Sequence, residues 1–132
     1  MGIWGLRAFE SDDAQNFARE VIEDGPVALE EAFDVVLDED DVQAPEGARA
    51  VAAAELLAAL LNGDFSALPP ELREWAVQQK TEDLANLRAP ALSALDRVAG
   101  ETSELRELWE QTDGYAAWLA DLARIRQSVT AR

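Results

Sequence analysis

The stretch from Ala48 to Leu61 limits this chain's fold more than any other. Across fourteen positions it carries two charged residues, Arg49 and Glu55, and is otherwise alanine, valine and leucine. Pro45 and Glu46 open it, and Asn62-Gly63 is a good stop, because glycine accepts the left-handed turn at a helix end. A helix that is apolar nearly all round must be covered nearly all round. The segment therefore predicts a central helix with the other elements packed about it. The uninterrupted part is too short to cross a bilayer.

The flanking sequence supplies the cover. Ser11 caps a helix whose first turn carries Asp12 and Asp13 and whose apolar face reads Ala14, Phe17, Ala18, Val21 and Ile22, until Gly25 ends it. Pro26 opens a second helix with Leu29, Ala32, Phe33, Val36 and Leu37 inward. After the central helix, Phe65 and Leu68 point inward from a loop, and Pro70 begins a short helix with Leu72, Trp75 and Ala76 on one side. Thr81 caps the next, which presents Leu84, Leu87, Ala91, Leu92, Leu95 and Val98; Pro90 is expected to kink or split it. Thr102 or Ser103 caps a helix with Leu105, Leu108 and Trp109, and a last helix from about Asp113 carries Tyr115, Trp118, Leu119, Leu122, Ile125 and Val129. No stretch sustains strand-like alternation, and only Ile3 hints at a short strand. The expectation is a single all-α domain over 1–132, a compact orthogonal bundle of six or seven helices.

Charge narrows the chemistry. The net charge is −16, and it is lopsided: residues 1–66 hold 16 acids and 3 bases, residues 67–132 hold 11 acids and 8 bases. Nucleic acid and anionic membranes would repel such a surface, whereas a basic protein or a cation would be drawn to it. GC-rich coding or a salt-loving cytoplasm produces the same profile with no function attached. Cysteine and histidine are both absent, which removes thiol chemistry, the usual neutral-pH base and the commonest transition-metal ligand. The opening Met1-Gly2-Ile3-Trp4-Gly5-Leu6-Arg7 shows no signal peptide, and Leu6 stands where a myristoylation motif has Ser or Thr. A cytoplasmic location is expected, and no cofactor motif is present.

Three sets of residues are candidates for function. Glu55, set among alanines and leucines, is either a carboxylate with chemistry (an acid or a metal ligand) or one held by an arginine, by the amino-terminal segment or by solvent. Glu30-Glu31-x-x-Asp34 together with Glu55 resembles half of the Mg²⁺ site of MazG-type nucleotide pyrophosphohydrolases. The second half fails, because Ala58 stands where that pattern needs an aspartate. Asp38-Glu39-Asp40-Asp41 reads as a solvated loop able to meet a basic partner; Val42 and Gln43 rule out a calcium-binding EF-hand loop. The tryptophans at 75, 109 and 118 read as core.

Met1-Gly2-Ile3-Trp4-Gly5 through Phe9, followed by Asp12 and Asp13, resembles the opening of a bacterial domain-of-unknown-function family, number 4259. The likeness extends through Ala52–Leu56 and Ser103–Trp109. Ile3, Leu6, Arg7 and Glu10-Ser11 depart from its usual residues. The resemblance implies a stand-alone domain and carries no activity. In physical terms Gly2, Trp4, Gly5 and Phe9 read as a structural latch laid on the helices over residues 1–10. The functional expectation is an acidic interaction module, immunity- or antitoxin-like, for a basic partner. A metal-dependent hydrolase using Glu30, Glu31, Asp34 and Glu55 and a ligand-free oligomerising protein are the alternatives.

Overall fold

A computed structural model describes residues 11–80 and 84–130. The helix Ala44–Asn62 runs through the middle of it, and from Ala50 to Leu60 every residue is buried. Gln43 precedes it in extended conformation, Pro45 lies in its first turn, and Gly63, at φ 73°, ends it by donating to the Ala59 carbonyl. In chain order the helices are α1 (Asp12–Asp24), α2 (Val27–Asp38), α3 (Ala44–Asn62), α4 (Pro70–Ala76), α5 (Arg88–Val98), α6 (Glu104–Glu110) and α7 (Tyr115–Thr130). A 3₁₀ turn, Leu84–Leu87, leads into α5.

α3 touches α1, α2, α5, α6, α7 and the 3₁₀ turn, so the predicted central element is central. Its alanines explain how. A small side chain lets a neighbouring helix axis approach closely, and Ala50, Ala52, Ala53 and Ala54 have no exposed surface. Phe17 of α1, Phe33 and Leu29 of α2, Leu72 of α4 and Ile125 of α7 supply the large buried groups around it. Burying each such side chain contributes about 1.5–3 kcal/mol. At Gly47, where α6 crosses the start of α3, the approach is less tight: a Cβ there would sit 3.4 Å from Leu105, in ordinary contact.

Local signals explain the boundaries. The Ser11 hydroxyl accepts from the Ala14 N–H at 3.2 Å, and the Ser103 hydroxyl caps α6 in the same way at Arg106. Pro90 falls in the first turn of α5, where a missing N–H costs nothing, and the split comes just before it as the 3₁₀ turn. Among the described residues there is no strand, only an isolated bridge: the Val42 N–H donates to the Thr102 carbonyl and the Glu104 N–H to the Val42 carbonyl. Trp109 and Trp118 are buried and stack at 6.0 Å, while Trp75 packs half-buried against the core.

Two expectations are corrected. Ile22, placed on the buried face by its spacing, is 38% exposed, because α1 turns its Phe17–Val21 edge toward α3. The last helix begins at Tyr115, after a turn held by Thr112. The amino-terminal latch of Gly2, Trp4, Gly5 and Phe9, the hint of a strand at Ile3 and the cap at Thr81 lie outside the described residues. Among those described, no helix is long and apolar enough to cross a membrane.

Candidate functional site

Glu55 is buried, 5% exposed, and α7 supplies its partner. Arg124 donates to both carboxylate oxygens, at 2.6 and 3.4 Å, and also to Asp121 one turn earlier at 2.8 Å. A fork of N–H donors fits a planar carboxylate better than a lysine would. The Glu55 bond is the main reason that the Arg124 guanidinium holds its proton even more firmly than usual. Of the readings open for Glu55, the arginine-held carboxylate is the one observed. The pair borders a small cleft with Asn62, Asp64 and Ser128. Asp64 accepts from the Ser66 hydroxyl at 2.7 Å, which lowers its pKa from the ordinary carboxylate value.

The other candidates lie elsewhere. Glu30, Glu31 and Asp34 are exposed on α2, whereas Glu55 is enclosed between α3 and α7. The structure does not bring the four together, and among the described residues no three carboxylates are placed to share an ion. Asp38 ends α2, and Glu39, Asp40 and Asp41 follow it, all exposed. What holds this run is its backbone. Arg97 of α5 donates to the carbonyls of Glu39 and Asp40, and the Val42 bridge fixes the far end. The four carboxylates are left free, with no ion pair to any described residue.

A groove of about 480 Å³ opens between α1, α2 and the start of α3. Its floor is Ala28 and Ala32, and Val35, Glu31, Glu20, Asp24, Glu46 and Arg49 stand around it. Arg49 is already engaged: it pairs with Glu20 and lies over the Phe17 ring, 5.9 Å from the centroid. Glu46 is not. One of its carboxylate oxygens is enclosed without a hydrogen-bond partner. Sequence reading missed this groove because its acids come from three helices, with no shared spacing to announce them.

A family profile described as Domain of unknown function (DUF4259) matches residues 2–121 of the 132. The chain belongs to the DUF4259 family. The match takes in every helix from α1 to α6 and the first turns of α7, and so both the groove and the acidic run. No curated protein and no solved structure matches the chain. Membership of DUF4259 thus identifies the domain without supplying a reaction, and the function has to be argued from its surface.

Proposed function

We propose that this DUF4259 domain is an acidic protein-interaction module that binds a basic surface on another protein. The observation that carries the reading is where its acids stand along α1 and α2. α1 ends in Glu23-Asp24, and α2 ends in Asp38 with Glu39–Asp41 directly after it; neither has a base in its last turn. The carboxyl end of a helix is its negative end, so each acid there costs about 0.3–1 kcal/mol at low salt. Those acids do not serve folding. They are exposed, and the Asp38–Asp41 run is held by its carbonyls, so its carboxylates stay available to a partner. Such a surface steers a basic protein in quickly and loses it as salt rises.

The test is capture from the native cytoplasm with the parent protein and with D38N/E39Q/D40N/D41N, at low and high salt. The reading expects a defined basic protein, retained at low salt by the parent, released by salt and lost with the variant. If every retained protein binds parent and variant equally, the acidic surface is not an interaction site.

A further inference from the structure

The acidic run is a rim without depth, but the groove beside it has a floor. Ala28, Ala32 and Val35 lie at i, i+4 and i+7 on α2, so their side chains form one stripe. The two alanines are buried yet too small to fill the space between α1 and α3, and Val35 remains 40% exposed. Around this apolar strip stand four carboxylates against one guanidinium, and that guanidinium is occupied by Glu20. An apolar strip edged by unmatched negative charge is complementary to a long side chain with a methylene stem and a cationic head.

Glu46 sharpens the choice. Its enclosed, unpartnered oxygen is an unmet acceptor, and leaving such a group without a donor is unfavourable. Glu46 also lines the groove, so a guanidinium seated there lies beside a carboxylate that no described residue engages. No described trio of carboxylates is placed to hold a metal ion here. The acids are spread across the groove instead. A planar guanidinium with five N–H donors can reach acceptors set apart in this way, whereas an ammonium is a point charge.

We propose that the groove between α1, α2 and α3 seats an arginine side chain of the basic partner protein. Its stem would lie on Ala32 and Val35, with its guanidinium between Glu31 and Glu46. The inference rests on the interaction reading above and deepens it by naming the pocket and the residue that fills it.

The test uses a short amphipathic helical peptide of alanine and leucine with arginines along one face, and a twin with citrulline in place of arginine. Backbone NMR of the ¹⁵N-labelled protein reports where each binds. The expected result is shifts centred on Ala28, Glu31, Ala32, Val35 and Glu46 with the arginine peptide and none with citrulline. E31Q and E46Q should each weaken binding about tenfold, and D38N/D40N, beside the groove and reached by a whole partner more than by this short peptide, should weaken it by clearly less. V35R, at an exposed position that leaves the core alone, should block the groove with the chain's own cation. If the shifts instead spread over the Asp38–Asp41 run and all charge removals weaken binding alike, the groove assignment is wrong and the broader acidic surface stands. If the arginine peptide binds no better than citrulline, the groove is likewise wrong, and the capture experiment alone decides the broader reading.

Discussion

The two halves of the molecule use charge in opposite ways. After residue 66 the described arginines are structural. Arg73 donates to the Leu68 carbonyl, Arg88 to Val129, Arg106 to Ala99 and Arg126 to Leu92 and Asp96. Arg97 and Arg124 reach across to the first half, one to the backbone of the acidic run and the other to Glu55. Before residue 66 the acids outnumber the bases 16 to 3, and six of them, Glu23, Asp24 and Asp38–Asp41, stand exposed at or just past the negative ends of α1 and α2. The difference teaches that bases hold this fold together while the acids of α2 and its loop do not. Among the described residues, the carboxylates that secure one element to another are Glu20 on Arg49, Glu55 on Arg124, Asp96 on Arg126 and Glu104, which accepts from the Ala44 N–H at 2.7 Å, and none of them belongs to α2 or its loop.

That contrast can be broken most forcefully at Arg124. R124M leaves the Glu55 carboxylate enclosed without its partner, and breaking a buried pair costs about 3–5 kcal/mol. Arg124 is 38% exposed in its side chain, so water offsets part of this, and a loss of about 2–3 kcal/mol in denaturant unfolding is expected. The double variant E55M/R124M should recover most of it, since apolar replacement of such a pair is often neutral.

Next comes a steric comparison within the arginine-bearing half and across its border. G114A places a Cβ 2.9 Å from the Trp109 ring, which the stacked Trp118 holds in place, and should lose about 1–3 kcal/mol. G47A meets Leu105 at ordinary contact distance inside a helix, so the gain in helix propensity should leave the protein unchanged or up to about 1 kcal/mol more stable. Thermal melting distinguishes the two outcomes directly. R97A, which frees the backbone of the acidic run at an exposed site, should cost about 1 kcal/mol.

The smallest effect is at Asp64. Its depressed pKa means that the Ser66 bond supports the folded state above the ordinary aspartate range, and that support is lost as pH falls through the folded value. S66A should therefore raise the Asp64 titration midpoint toward the ordinary value, read by carbon-detected NMR, with little change in melting at neutral pH.

How much of this was legible beforehand follows from the range of each signal. The central helix, the caps at Ser11 and Ser103 and the buried tryptophans rest on neighbours within about one turn of chain, and sequence carries such signals directly. Ile22 misled because periodicity gives a stripe but not its edge; the crossing of α1 on α3 sets the edge. Glu55 was recognisable as an anomaly, yet its partner 69 residues away was not, since any of several arginines could have met it. The groove was invisible for the same reason: Glu31 and Glu46 line one groove only because α2 and α3 pack together. The family resemblance rested on short blocks, and the profile match over residues 2–121 bears it out.

The central claim is that the carboxylates of α2 and its loop are carried by the fold without supporting it. The most direct measurement is the unfolding free energy of D38N/E39Q/D40N/D41N beside the parent at low salt, because amide replacements keep the carbonyls that Arg97 grips. The account predicts a variant as stable as the parent or more so, by up to about 1 kcal/mol, as repulsion at the negative end of α2 is relieved. A loss of more than about 1 kcal/mol would contradict it and make those acids part of the scaffold.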